Sequence, residues 1–124
     1  MGRIVATGFA FRKNTMTDIL LVITNMPDAA SASVLAARII EARLAACVNQ
    51  LAPCASTYRW QGKIETATEV PLLIKTKAIA YAQLETLIRS AHPYTVPEII
   101  AIPVACGLPD YLNWVKGETR TFKE

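Results

Sequence analysis

The chain has few of the residues that build disulfide frameworks and metal centres. Its 124 residues include three cysteines and one histidine, and no two cysteines form a CxxC pair. An odd number of widely spaced cysteines argues against a disulfide scaffold or a zinc site, and favours reduced thiols in a cytosolic protein. Because their neighbours are largely apolar, we expect Cys47, Cys54 and Cys106 to be small buried side chains.

The sequence also lacks a long hydrophobic run and, beyond its first residues, any excess of charge. No apolar run reaches the roughly 18 residues that span a bilayer. The net charge of +3 arises from Arg3, Arg12 and Lys13, because residues 16–124 carry ten basic and ten acidic side chains. A neutral domain lacks the positive surface of a nucleic-acid binder, so we predict neither a membrane nor a nucleic-acid partner.

Residues 1–15 differ in composition from the rest of the chain. They are basic, contain glycine and lack the apolar segment of a signal peptide. An expression remnant, an upstream-initiated leader and a weak targeting segment all fit them. We predict an N-terminal extension at 1–15 outside the core and a single domain at 16–124.

Hydrophobic periodicity predicts the order βαββαβ followed by a terminal helix. Strands are predicted at 18–24, 47–60, 63–77 and 99–104, and helices from Asp28 or Ser31 to about Ala46, at 78–91 and at 110–116. A tight turn is predicted at Gln61-Gly62, where glycine supplies a positive φ. Two crossovers around one hairpin predict an α+β ferredoxin-like sandwich, with helices on one face of an antiparallel sheet.

The two hairpin strands are too long for a compact domain of this size. Each spans about 14 residues, or roughly 45 Å at about 3.3 Å per residue, whereas the expected radius of gyration is about 14 Å. Counted from the turn, Pro53 falls opposite Val70, which is next to Pro71. Because proline has no backbone N–H, both strands lose a hydrogen-bond donor at nearly the same position along the hairpin. This predicts a kink or bulge, beyond which residues 54–69 leave the sheet as an arm.

The predicted arm has bare strand edges, which need a partner strand. The simplest partner is another copy of the chain, paired by rotational symmetry. A solvent-exposed hairpin is the alternative, but Tyr58 and Trp60 alternate onto one face and would be costly to leave in water.

The segment after the second predicted helix reads His92-Pro93-Tyr94-Thr95-Val96-Pro97-Glu98 and contains the only histidine of the chain. His92 and Val96 each precede a proline, which biases them toward extended backbone. A stiff connector of this kind is where small proteins place binding groups, although a plain loop between helix and strand is the alternative.

Several stretches within residues 17–116 match one known family in order and spacing. They are Arg43-Leu44-Ala45-Ala46-Cys47-Val48-Asn49, Ser56-Thr57-Tyr58-Arg59-Trp60-Gln61-Gly62-Lys63, Glu69, Lys75-Thr76, His92-Pro93-Tyr94, Pro97-Glu98-Ile99-Ile100 and Tyr111-Leu112-Asn113-Trp114. On these residues the chain resembles the CutA family of divalent-cation tolerance proteins. The resemblance implies a tight homotrimer of ferredoxin-like protomers with paired arms, similar in architecture to the PII signalling proteins. It also implies a cytoplasmic, non-enzymatic protein associated with tolerance of copper and other divalent metals.

The chain departs from the family where metal binding is attributed to it. Those proposals invoke a cysteine at the end of the first strand and a His-His pair before Pro-Tyr, whereas Thr24 and Ala91 stand at these positions here. Because copper favours thiolate and imidazole ligands, His92 remains as a weak metal candidate. We expect no obligatory cofactor, and at most weak binding of Cu(II) or another divalent cation.

The predicted ligand clefts lie between subunits. We expect six residues to line them: Tyr58, Trp60, Lys75, His92, Tyr94 and Glu98. A cation, an imidazole, an acid and aromatic walls suit a small anionic or metal-bridged ligand. Alternatively, Lys75 and Glu98 form an intersubunit ion pair that fixes register, and His92 caps a helix end.

The sequence contains no pattern typical of an enzyme, because it lacks a nucleophile–base spacing, a phosphate loop and a metal triad. The loop at 24–29 has neither the glycine and arginine of acylphosphatases nor the CxxC of metallochaperones. We therefore predict that the protein is not an enzyme. The alternative function is a structural or scaffolding trimer that presents a surface to other proteins and has no metal role.

Overall fold

The computed structural model describes residues 17–122, so the predicted N-terminal extension lies outside the described residues. The strands are β1 (Ile19–Met26), β2 (Cys47–Gln50), β3 (Cys54–Trp60), β4 (Lys63–Lys77) and β5 (Ile99–Pro103). The helices are α1 (Ala29–Glu41), α2 (Tyr81–Ala91), preceded by a 3₁₀ turn at Ala78–Ala80, and α3 (Pro109–Glu118). Within residues 17–122, no helix is long and apolar enough to cross a membrane.

The sheet has the strand order β2-β4-β1-β5, with every pairing antiparallel, and β3 pairs with the outer part of β4. Alternate residues of β1 and β4 point toward α1 and α2 and form one core with them. The buried members of this core include Val22, Met26, Leu35, Ile39, Leu72, Ile74, Leu84 and Ile88. The predicted ferredoxin-like α+β sandwich is therefore confirmed.

Helix α3 covers part of the opposite sheet face. It packs against β4 and β1, and the Tyr111 hydroxyl faces the Cys47 thiol. Cys47 pairs with Lys75, which alternates along β4 with the core residue Ile74. Directly paired residues share a face, so α3 lies on the side of the sheet away from α1 and α2.

Helix α1 begins at the predicted cap but ends at Glu41 rather than near Ala46. At its start, the Asp28 carboxylate accepts a 2.7 Å hydrogen bond from the Ser31 backbone N–H. This bond satisfies one of the free N–H groups of the first turn and is the largest cause of the lowered pKa of Asp28.

The early end of α1 is a Schellman motif with arginine in place of glycine. Arg43 donates its N–H to the Ile40 carbonyl at 2.9 Å, and Leu44 donates to the Ile39 carbonyl at 3.1 Å. Arg43 takes the left-handed φ of 57° that this motif requires. Its guanidinium donates to the Gly117 carbonyl at 3.1 Å, at the end of α3, where backbone acceptors lack helical donors.

The hairpin contains the predicted bulge. Between the Gln50–Leu72 pair and the Cys54–Glu69 pair, residues 51–53 oppose only residues 70–71, so the first strand carries one extra residue. The turn takes positive φ at Gln61 and Gly62, 51° and 82°, as a two-residue hairpin turn requires. Residues 54–69 form the arm, in which β3 and the start of β4 pair with each other and with no further described strand.

The three cysteines are free thiols, as predicted, but the prediction that they are buried is wrong. Cys54 and Cys106 are exposed, and Cys47 is partly buried. Cys54 is the first residue of β3, just beyond the bulge, and Cys106 lies in the connection between β5 and α3. Apolar neighbours in sequence did not indicate burial because both residues lie where the chain leaves the sheet.

Candidate functional site

A cavity of about 580 Å³ lies between the arm and residues 92–98, which we call the connecting loop. Its walls include three aromatic side chains, Tyr58, Trp60 and Tyr94. Tyr58 and Trp60 are exposed in the single chain. A concave site with aromatic walls and a few polar groups is the usual form of a small-molecule site.

The strand register of the arm explains which side chains face the cavity. Tyr58 pairs with Glu65, and Cys54 pairs with Glu69. Since directly paired residues share a face, both glutamates lie on the face that carries Tyr58 and Trp60. The opposite face of the arm carries Arg59 and its partner Ile64.

The cavity is acidic. Glu65, Glu69 and Glu98 line it, and no basic side chain does so in the part of the chain that the structure describes. Burial raises the pKa of the Tyr94 hydroxyl, and the nearby carboxylate of Glu69 raises it further. Both effects disfavour the tyrosinate, because an added negative charge would be desolvated and would face a carboxylate.

Glu98 and Tyr94 are held by the connecting loop, whose ends are tied to the sheet. The Glu98 carboxylate accepts a 2.7 Å hydrogen bond from the Asn25 side chain, beside β5. His92, which ends α2 in the predicted extended conformation, lies with its ring centroid 4.6 Å from that of Tyr94.

Both ring nitrogens of His92 are engaged. Its Nε2 lies 2.6 Å from the Asn25 carbonyl oxygen, and its Nδ1 accepts the Tyr94 backbone N–H at 3.3 Å. A carbonyl only accepts, so Nε2 carries the proton and the imidazole is neutral in this arrangement. The side chain is 9% exposed. His92 thus anchors the connecting loop to the end of β1, and a metal ion would have to displace one of these bonds.

Lys75 lies away from the cavity in the single chain. It is on β4, on the sheet face that α3 partly covers, and its ammonium donates to the Asn49 side chain. The Cys47 sulfur is 4.0 Å away. Four of the six predicted cleft residues, Tyr58, Trp60, Tyr94 and Glu98, therefore line one cavity in one chain, and Lys75 and His92 do not.

Two acidic residues of the cavity were not predicted as site residues. The count outward from Gln61-Gly62 that placed Pro53 opposite Val70 also places Glu65 opposite Tyr58 and Glu69 opposite Cys54. That count, carried across the hairpin, is the sequence signal that would have found them. Among the described residues, no group of three or more His, Cys, Asp and Glu side chains could hold a metal ion.

Replacing His92 should loosen the connecting loop. In His92→Gln, we expect the Tyr94 amide to exchange with solvent about five-fold faster or more, because a hydrogen bond of this kind contributes about 1 kcal/mol. Hydrogen exchange measured residue by residue checks this, with the exposed Arg89→Gln at the same helix end as control. Unchanged exchange at Tyr94 would mean that the prolines alone hold the loop.

Comparison with known proteins identifies the family. The sequence model described as "CutA1 divalent ion tolerance protein" matches residues 20–118. The divalent-cation tolerance protein CutA of Thermus thermophilus is 41% identical over 99 residues, which is 80% of this chain and 96% of that protein. The crystal structure of CutA from Xylella fastidiosa has a TM-score of 0.80 and 47% identity, and the match covers 83% of this chain and 99% of that one.

A third relative bears on location. A solved structure from Archaeoglobus fulgidus, described as a periplasmic divalent cation tolerance protein CutA, has a TM-score of 0.79 and 35% identity, with 82% of this chain and 99% of that chain covered. The family model matches residues 20–118. This range contains all three helices and all five strands, apart from the first residue of β1. The chain belongs to the CutA1 family of divalent ion tolerance proteins.

Proposed function

We propose that the protein is a homotrimer that takes part in tolerance of divalent metal ions, with PII-like architecture and ligand clefts between its subunits. The observation that carries the proposal is the arm, whose outer edges pair with no described strand and whose faces expose Tyr58, Trp60 and Ile64. Unpaired edges with exposed apolar side chains favour pairing with another chain.

The edge strand β5 supports the same conclusion. Among residues 17–122 it pairs only with β1, on one side, and it exposes Ile100 and Ile102. Together with the arm, it gives each subunit two apolar edges. Rotational symmetry allows an edge of one subunit to meet a different edge of the next and to close a ring. Lys75 and His92 stay proposed cleft residues of the assembled trimer.

The metal role that we propose does not require a tightly bound ion. His92 is the candidate ligand, and coordination of Cu(II) would break its bond to the Asn25 carbonyl or to the Tyr94 N–H. We therefore propose weak binding of Cu(II) or another divalent cation, and no obligatory cofactor. The relatives are named as tolerance proteins, which supports a role without catalysis.

We also propose a cytoplasmic location. The free cysteines support this location. The chain has three, Cys47, Cys54 and Cys106, and all of them are free. Exposed free thiols are typical of reducing compartments.

Native mass spectrometry with and without Cu(II) tests this function. We expect a trimer without ligand at micromolar concentration, and copper adducts that appear only at high micromolar copper. A monomer of about 13.5 kDa would contradict the trimer. Titration calorimetry on the parent and on His92→Ala tests the metal role. Nanomolar affinity for Cu(II) that survives His92→Ala would place the metal elsewhere, with the cysteine thiolates as the leading candidates.

One observation favours the alternative, a scaffolding trimer that presents a surface to other proteins. Leu108, Tyr111 and Trp114 are exposed on and beside α3, and the rings of Tyr111 and Trp114 lie 5.7 Å apart. A trimer that binds neither copper nor a small ligand in these titrations would favour the scaffold over the metal role.

A further inference from the structure

The charge of the cavity does not fit the anionic ligand that the sequence suggested. Glu65, Glu69 and Glu98 line it, without a lysine, arginine or histidine among the described lining residues. Lys63 shares a face with Trp60 at the tip of the arm, yet it does not line the cavity. An anion would therefore meet three carboxylates and no compensating cation in this part of the chain.

The negative potential of the carboxylates acts on Tyr94. Burial raises the pKa of its hydroxyl, and the charges of Glu69 and, more weakly, Asp28 raise it further. Asp28 is not a lining residue, so the negative potential extends beyond the three carboxylates that form the walls. A positively charged group at this place would experience the same potential as an attraction.

The three carboxylates do not form a three-ligand metal site. They do not belong to any described group of three or more side chains that could hold one. Carboxylates that cannot share one ion can still pair separately with the charges of an extended molecule. Glu65 and Glu69 are four residues apart on β4, or about 13 Å at about 3.3 Å per residue. A ligand that pairs with both is therefore larger than an ion and carries positive charges at separate points.

The aromatic walls favour the same kind of ligand. Tyr58, Trp60 and Tyr94 border the cavity alongside the glutamates. The face of an aromatic ring attracts ammonium and guanidinium groups, and the ring also packs against methylene groups between them. Aromatic walls with acidic groups thus recognise an amine better than a hydrated metal ion.

We propose that this cavity binds a small linear organic cation that carries ammonium or guanidinium groups. Its volume of about 580 Å³ is within the range of small-molecule pockets. Glu65 and Glu69 pair with the cationic groups, and Tyr58, Trp60 and Tyr94 surround the chain between them. The proposal deepens the proposed function by naming a ligand class for four of its cleft residues, Tyr58, Trp60, Tyr94 and Glu98. Because these residues line the cavity within one chain, the proposal does not depend on the trimer.

Three probes of similar length separate the possibilities: 1,4-diaminobutane, the neutral 1,4-butanediol and the anionic succinate. In titration calorimetry at low ionic strength, we expect the diamine to bind and the diol and succinate to bind at least ten-fold more weakly. Binding of the diamine should weaken as salt is raised, because screening acts on the charged groups.

Isosteric variants test the residues. In Glu65→Gln combined with Glu69→Gln, we expect about ten-fold weaker binding of the diamine, since two charge-assisted hydrogen bonds become neutral ones. Glu41→Gln removes one carboxylate charge at the exposed end of α1, outside the cavity lining, and should leave binding unchanged. Native mass spectrometry of the same variants reports the oligomeric state separately.

The outcomes are distinct. Equal binding of diamine and diol, stronger binding of succinate, or no binding of the diamine at millimolar concentration would each overturn the proposal. So would diamine binding that Glu41→Gln weakens as much as the double variant does. Selective diamine binding by a protein that proves monomeric would keep this proposal and contradict the trimer. A trimer without diamine binding would do the reverse.

Discussion

Trp60→Ala is expected to dissociate the proposed trimer at low micromolar concentration and to lower its melting temperature. Trp60 is 40% exposed in the single chain and lies at the tip of the arm, on the face that also carries Tyr58. Large aromatic side chains at the centre of an interface commonly contribute 2 kcal/mol or more to association, which is a factor of about 30 in the dissociation constant. A symmetric trimer would lose three such side chains, one from each subunit, which enlarges the effect.

Sedimentation and thermal unfolding over a range of protein concentrations measure this effect. The melting temperature of a trimer falls on dilution, and in Trp60→Ala the fall should begin at higher concentration. Arg59→Ala is the control, because Arg59 is the next residue along β3 but points to the other face of the arm. If Trp60→Ala leaves both the trimer and its melting temperature unchanged, the arm does not carry the interface.

The arm could be predicted because its turn and its bulge depend on residue types that are close in sequence and on the number of residues counted from the turn. Proline cannot donate to a strand ladder, and glycine accepts positive φ, so Pro53, Pro71 and Gly62 located the bulge and the turn. The side-chain period of two then fixed which residues share a face. The ferredoxin-like order followed from the pattern of apolar residues, which the structure confirms.

Features that depend on contacts between distant segments could not be predicted. Arg43 ends α1 in a left-handed conformation, and its side chain then binds the Gly117 carbonyl, far away in sequence. Cys106 has apolar neighbours but is exposed because its segment connects β5 to α3. The sequence correctly placed His92 in a shaped connector. It could not show that both ring nitrogens are hydrogen-bonded, because one of the bonds is to the Asn25 carbonyl on β1.

Two fully buried threonines, on neighbouring strands of the sheet, differ in their hydrogen bonding. Thr24 on β1 and Thr76 on β4 are both 0% exposed. The Thr76 hydroxyl donates to the Leu44 carbonyl at 2.7 Å. The Thr24 hydroxyl has no hydrogen-bond partner among the described residues. A buried hydroxyl without a partner loses its bonds to water and regains none, which destabilises the folded state.

Replacing each threonine by valine, which has nearly the same shape, should therefore change stability in opposite directions. We expect Thr24→Val to raise the free energy of unfolding by about 1 kcal/mol, because it removes the unpaired hydroxyl and adds a buried methyl group. We expect Thr76→Val to lower it by about 1–3 kcal/mol, because the Leu44 carbonyl would lose its donor inside the core. Urea unfolding at one protein concentration compares the variants, with the slope of the transition as a check that the folded and unfolded states stay the same. Destabilisation by Thr24→Val would show that its hydroxyl has a partner in solution, and a neutral Thr76→Val would show that the bond to Leu44 contributes little to the fold.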